Sequence, residues 1–356
     1  MNLGLSSLRS AVKRKFSAAR LAGDLTFSDT KLTILKTRQG VPFQLRYCPA
    51  LAKKPIDNIA PPKDESKASK PKFDPFANPS SELLVANVPP PSPSHALVLN
   101  KFPVIPNHFI LATKEDKPQT DLLDPGDLAM TYACLEAWPE DETDSGSADD
   151  ELFAFFNSGP HSGASQPHRH LQFLPIPDMK TGLTDPDAAS WRPLIESLST
   201  PHAISEPYQL AHNPTFPFTA LSTALRPGLT PAELYDRYIT LLRAASLLTA
   251  ETSHVPSLQD LTSARITDPE DSKHVSFSYN LALTRDRMAI CARRAEGFSI
   301  PGLPDSHVAL NCTVLAGTMM VKECAEWDAL RSAPEALDGL LAEIGYPPWR
   351  EDGVRL

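Results

Sequence analysis

Residues 152–176 read LFAFFNSGPHSGASQPHRHLQFLPI, two apolar runs joined by a loop of glycine, serine and proline. The first run, LFAFFN, sets large apolar side chains at consecutive positions, the pattern of a strand covered on both faces. The second alternates. As a strand, HRHLQFLPI has a period of two that puts His168, His170 and Gln172 on one face and Arg169, Leu171 and Phe173 on the other. Leu171 and Phe173 point toward a core, so the polar row opposite borders a pocket.

The rest of the chain supplies more strands and a few helices. HALVLNKFPVIPNHFILATK (95–114) is two apolar strands joined by a turn around Pro103, Pro106 and Asn107. FQLRYCPAL (43–51), VSFSYNLALT (275–284), RMAICAR (287–293) and CTVLAGTMMV (312–321) also read as strands. A first helix over about 8–21 stops at Gly23. Asp124 caps a helix that starts at Pro125 and runs to about Ala137. Thr230-Pro231-Ala232-Glu233 is a capping box for a long helix over about 231–250, and residues 325–345 give terminal helical material. Hairpins with intervening helices define an α+β class with a mostly antiparallel sheet and flanking helices. At 356 residues the chain makes one large domain or two fused halves. A catalytic half over 1–200 carries the histidine motif, and a half over 201–356 completes the sheet.

Two segments break the pattern. Residues 52–82 are rich in Pro, Lys, Ser and Asp and read as a solvated, mobile loop. Residues 139–151 are acidic and read as an exposed insertion. The balance of 34 Lys+Arg against 43 Asp+Glu, net −9, argues against a nucleic-acid or anionic-membrane surface, so an anionic ligand must meet a local positive site. Five scattered cysteines without a CxxC pair indicate neither a disulfide framework nor a thiolate zinc site. No apolar run reaches the roughly 18 residues that span a bilayer. Arg9, Lys13, Arg14, Lys15 and Arg20, with no acid before Asp24, also fit a mitochondrial presequence, but a cytoplasmic protein with an ordinary first helix is the default.

On spacing alone the histidine pair has three readings: two surface histidines, part of a zinc site, or a covalent catalytic site. The zinc reading lacks a third ligand at a completing distance. The covalent reading needs an imidazole nitrogen without a proton, donors for phosphoryl oxygens and a group that sets the tautomer. Gln172 is an amide donor two residues on, and His168 is a neighbour able to orient the ring. Gly159 and Gly163 permit close backbone approach, while Asn157, Ser162, Ser165 and Gln166 add short polar groups.

The run NSGPHSGASQPHRHLQ, with LNKFPVIPNHFILATK before it, SYNLALTRDRM after it and VKRKFSAARLAGDL near the start, resembles the diadenosine tetraphosphate phosphorylases (ATP adenylyltransferases). That family is the His-x-His-x-Gln branch of the histidine triad superfamily, akin to galactose-1-phosphate uridylyltransferases. The resemblance implies a histidine-triad-like fold of two fused half-domains. It implies His170 as the nucleophile that forms a nucleotidyl-histidine, Gln172 on the attacked phosphoryl group and His168 as supporting partner. It further implies substrate contacts at Lys54 (with Lys53 as fallback), Asn100, Lys101, Asn157, Gly163, Ala164, Ser165 and Gln166. In the C-terminal half it implies Asn280, Met288 and Arg293, although Ala292 stands where the family has proline and Arg287 where an aromatic is usual. The implied reaction is reversible phosphorolysis of diadenosine tetraphosphate to ATP and ADP. No metal or cofactor is required, with magnesium an optional counter-ion of the polyphosphate. Expected partners are the dinucleotide, phosphate, ATP and ADP, in the cytoplasm with the nucleus as an alternative. A hexose-1-phosphate uridylyltransferase and a non-catalytic nucleotide binder are the competing readings.

Overall fold

The computed structural model describes residues 3–53, 73–139, 151–184, 191–198, 210–250, 258–268 and 270–347. Helix α1 (Leu8–Ala22) is followed by strands β1 (Lys31–Lys36), β2 (Pro42–Tyr47), β3 (Leu84–Val88), β4 (His95–Leu99) and β5 (Phe109–Thr113). Then come α2 (Pro125–Glu136), β6 (Leu152–Ser158), β7 (His170–Pro175), α3 (Ile176–Met179), β8 (Ala211–His212) and β9 (Leu221–Ala224). The C-terminal part holds α4 (Pro231–Thr249), α5 (Leu258–Ser263), β10 (Ser278–Leu283), β11 (Arg287–Arg293), β12 (Gly297–Phe298), β13 (Val308–Ala309), β14 (Thr318–Val321), α6 (Cys324–Ser332) and α7 (Leu337–Ala342).

The chain forms the expected α+β architecture around a nine-stranded sheet in the order β3-β4-β5-β7-β6-β10-β11-β9-β8. Every neighbouring pair in it is antiparallel. One face packs against helices: Leu97, Phe109, Phe156, Leu171 and Phe173 share a core with Val12 and Phe16 of α1, Leu128 of α2 and Leu241 of α4. The other face gives Phe153, Phe155, Leu174 and Ala282 to a second core with β14, α6 and α7. The first helix therefore belongs to the fold, stopped by Gly23 in the left-handed region. The Thr230–Glu233 capping box starts α4 where the sequence puts it.

Three expectations need correction. Residues 312–321 are not one strand. The Asn311 side chain accepts the Thr313 N–H at 2.9 Å and starts a 3-10 turn over Cys312–Ala316, which ends at Gly317 with φ 71°. Only β14 is extended, and it pairs parallel with β2. Period could not separate these states, because apolar side chains in the turn and the strand are buried alike. The regular strand of the histidine motif begins at His170, with His168 held by an isolated bridge to Pro118. Residues 52–82 are not solvated throughout, since Phe76 is only 6 % exposed. Lys54 and residues 140–150 lie outside the described residues.

Candidate active site

The alternation of β7 positions the site. Leu171 and Phe173 enter the helix-side core, so His170 and Gln172 face the other way, opposite Ala112 and Ile110 of β5. Arg169 locks this orientation from behind. Its guanidinium donates to Asp127 at 2.8 Å and Asp124 at 3.1 Å, while the Asp127 carboxylate also accepts the Asp124 N–H and thereby caps α2. The strand cannot rotate without breaking a buried ion pair, and an unpaired buried charge costs several kcal/mol, about 3–5.

Where β6 and β7 diverge at His170, the buried Gln119 side chain takes the place of a ladder rung. Its Oε1 accepts the His170 N–H at 2.8 Å, and its Nε2 donates to the carbonyls of Asn157 at 2.9 Å and His170 at 3.2 Å. The His170 ring then makes one hydrogen bond that sets its chemistry: Nδ1 lies 2.8 Å from the His168 carbonyl. A carbonyl only accepts, so Nδ1 carries the proton and Nε2 keeps its lone pair. Burial drives the His170 pKa down from 6.5 to about 4. The carbonyl bond opposes that shift, nearby His168 adds to it and Asp74 offsets part of it.

Gln172 is oriented by a relay. The Asn100 Oδ1 accepts the Phe102 N–H at 2.9 Å, which fixes its amide and turns Nδ2 toward His108 Nδ1 at 3.0 Å. That nitrogen must accept, so His108 Nε2 carries the proton and donates to Gln172 Oε1 at 3.0 Å. The Gln172 amide group is left as a donor for a ligand oxygen. Asn100 thus reaches the site through His108, and the adjacent Lys101 is exposed.

His168 does not line the row as a free polar group. Its Nδ1 meets Asp74 Oδ2 at 2.7 Å, and its Nε2 meets the Thr113 carbonyl at 2.7 Å. Phe76 lies over His170 and meets His168 edge-on, with ring centroids 5.0 Å from His170 and 5.8 Å from His168. Among the described residues, Asp74, Asp116 and His168 are the only His/Cys/Asp/Glu group able to offer a metal three ligand atoms, all within 4.8 Å of one another. Asp74 and His168 already satisfy each other there, and Asp116 is exposed.

The approach loop is shaped by two glycines in the left-handed region. Gly159 has φ 88° and a Cβ there would meet Ser278; Gly163 has φ 75° and a Cβ would lie 2.7 Å from the Leu310 carbonyl. The close approach that the sequence anticipates is thus to the protein's own chain. Ala164 and Gln166 are half-buried and Ser165 is exposed, so this stretch is open to a ligand.

The C-terminal residues divide differently from expectation. Asn157 Oδ1 accepts from Asn280 Nδ2 and from the Cys312 N–H, both at 2.9 Å, and Asn280 Nδ2 also donates to the Ser162 carbonyl. Arg293 donates to Asn280 Oδ1 and to the carbonyls of Ala295, Glu296, Leu310 and Ile344. At 2 % exposure it is a buried tie under the loop, with its guanidinium already bonded within the protein. Met288 lies apart from these residues. It is fully buried in the helix-side core, on the opposite sheet face from His170.

Sequence reasoning missed Asp74, Phe76, His108, Thr113 and Gln119. Only His108 had a local signal, because it continues the period-two row of Ile110 and Ala112. Asp74 and Phe76 fell inside a segment whose composition read as solvent.

Comparison with known proteins gives matches in both halves of the chain. Residues 2–189 match the Ap4A phosphorylase N-terminal domain, and residues 214–347 match the ATP adenylyltransferase C-terminal domain. In Saccharomyces cerevisiae, diadenosine 5',5'''-P1,P4-tetraphosphate phosphorylase 2 is 29% identical over 342 residues, covering 96% of this chain and 95% of that protein. Protein APA1 of the same yeast is 28% identical over 347 residues, with 96% and 95% covered. The crystal structure of yeast Ap4A phosphorylase Apa2 in complex with Ap4A superposes with a TM-score of 0.71 at 25% identity, covering 95% of this chain and 97% of that one. Fold and site define a protein of the adenylyltransferase type, built on a nine-stranded antiparallel sheet. The chain belongs to the Ap4A phosphorylase family.

Proposed function

We propose that this protein catalyses the reversible phosphorolysis of diadenosine tetraphosphate, converting it with inorganic phosphate to ATP and ADP. The carrying observation is the His170 ring, buried, with Nδ1 committed to the His168 carbonyl and Nε2 free of a proton. The Nε2 lone pair attacks the α-phosphorus, the P–O bond to ATP breaks, and the adenylyl group is held on Nε2. A phosphate oxygen then attacks the same phosphorus, the P–N bond breaks, and ADP departs. Two in-line displacements retain configuration at phosphorus.

The Gln172 amide donates to the phosphoryl oxygens as charge develops on them. Gly163, Ala164, Ser165 and Gln166 cradle the polyphosphate, with Asn157 and Asn280 holding that loop from below. Lys101 and Lys54 contribute the local positive charge that an acidic protein needs to hold a polyanion. Lys54 rests on the family resemblance alone. The reaction needs no cofactor, and magnesium acts only as a counter-ion of the substrate. Residues 1–200 supply the nucleophile and residues 201–356 complete the sheet. No described helix is long and apolar enough to cross a membrane, and we assign the activity to the cytoplasm, without a nucleic-acid or membrane partner.

The test is a product assay on purified protein. Incubation with Ap4A and phosphate yields ATP and ADP in equal amounts, and UDP-glucose with galactose 1-phosphate yields nothing. The reverse pattern would replace this reading with a hexose-1-phosphate uridylyltransferase.

A further inference from the structure

His168 is two residues from the nucleophile, yet its ring is turned wholly to other partners. The Thr113 hydroxyl gives its proton to the Glu115 carbonyl at 2.8 Å, so it and the Thr113 carbonyl both present acceptors to His168 Nε2. On the opposite side Nδ1 meets the Asp74 carboxylate. Both ring nitrogens are therefore engaged, Nδ1 with the carboxylate and Nε2 with the Thr113 oxygens. Burial pushes the Asp74 carboxyl up, but the hydrogen bonds from His168 and from the Phe76 N–H outweigh it and hold it below the usual carboxylate range. A short hydrogen bond of 2.7 Å therefore clamps His168 to residue 74.

The clamp also sets the path of the next two residues. Asp74 Oδ1 accepts the Phe76 N–H at 2.8 Å, which turns the chain and lays Phe76 on the sheet against Ile110 and Ala112. Its ring lies over His170 at 5.0 Å with 34° between the planes, and meets His168 edge-on at 84°. His170 is left only 2 % exposed.

We propose that Asp74 and Phe76 are positioning residues for the nucleophile: the His168–Asp74 pair clamps a short strap whose Phe76 ring covers the face of His170, excludes water from it and holds it in one orientation. This gives His168 a role of its own, acting through the strap and not on the leaving group. The inference rests on His170 being the nucleophile. The titratable groups that face His170 are His168 beside it on its own chain and Asp74 on the strap, while Phe76, Ala112 and Gln119 do not titrate.

The experiment uses the full-length protein with Phe76→Ala, Phe76→Leu and Asp74→Ala, and two readouts. The first is an NMR titration of the His170 ring without ligand, assigned by its loss in His170→Asn. The second is phosphorolysis of Ap4A against pH. Phe76→Ala raises the His170 midpoint by about one unit or more as water enters, moves the acid limb of kcat/KM with it and lowers kcat about tenfold with KM nearly unchanged. Phe76→Leu restores most of both. Asp74→Ala also raises the midpoint, although loss of the nearby negative charge alone would lower it, so the direction separates a clamp from direct electrostatics. A fall in Asp74→Ala, or a folded Phe76→Ala with unmoved midpoint and kcat, overturns the proposal. Should Phe76→Ala not fold, Asp74→Ala decides. Moved midpoints in a protein that never cleaves Ap4A would sink the substrate reading and keep the strap.

Discussion

His170 holds its Nδ1 2.8 Å from the carbonyl oxygen of His168, two residues back on the same chain. The tautomer of this ring is thus written into the backbone of the motif and survives any change in the His168 side chain that keeps the strand. His170→Asn removes the nitrogen that we propose attacks the substrate while preserving a small polar group. Turnover is expected to fall by roughly 10⁴-fold or more, and the acid-labile nucleotidyl adduct formed with labelled Ap4A to disappear. An adduct on the His170→Asn protein would rule out this residue as the nucleophile.

The lowered His170 pKa, about 4 against an ordinary 6.5, has two consequences of known sign. Its nitrogen stays neutral far into acid, so the acid limb of kcat/KM due to this residue lies near pH 4–5. The unfolded chain takes up this proton first as pH falls. Stability from His170 is therefore complete above pH 6.5 and lost on the way down to 4, on the order of 3 kcal/mol at most. Activity profiles and urea unfolding at pH 7, 5.5 and 4.5 check both, and an acid limb at 6.5 would mean that burial does not control this ring.

The relay from Asn100 through His108 predicts an effect at a residue that touches no reacting atom. His108→Leu leaves Gln172 in place but frees its amide to turn, so kcat should drop about 10- to 100-fold. The KM for phosphate, measured by initial rates, is expected to change little.

Arg293 separates a structural role from a ligand role. Arg293→Lys strips a buried, multiply bonded guanidinium and should destabilise the protein by about 3 kcal/mol, visible as a lower Tm, with little change in KM of the folded enzyme. A phosphate contact would show the opposite, a raised KM and an unchanged Tm. Met288→Leu, a volume-conserving change in the core, is expected to cost less than about 1.5 kcal/mol and to leave the kinetics alone.

The amino-acid sequence by itself determined the local geometry. The period of two in HRHLQFLPI put His170 and Gln172 on one face, because a strand alternates sides whatever surrounds it. The caps at Thr230 and Gly23 marked helix ends through bonds made within a few residues. Gly163 announced a conformation that other residues resist. The motif itself was long enough to reveal the family.

Only the tertiary structure decided who stands next to the histidines. Asp74 reaches His168 across 94 positions, and Gln119 reaches His170 across 51. Neither carries a local pattern, since such contacts come from strand order and register. The same cause set the surroundings of two C-terminal residues. Whether Met288 faces a ligand or a helix depends on which layer covers its side of the sheet, and whether Arg293 is free depends on carbonyls delivered by four other positions, from Ala295 to Ile344. Periodicity says which side chains share a face, and packing alone says what that face meets.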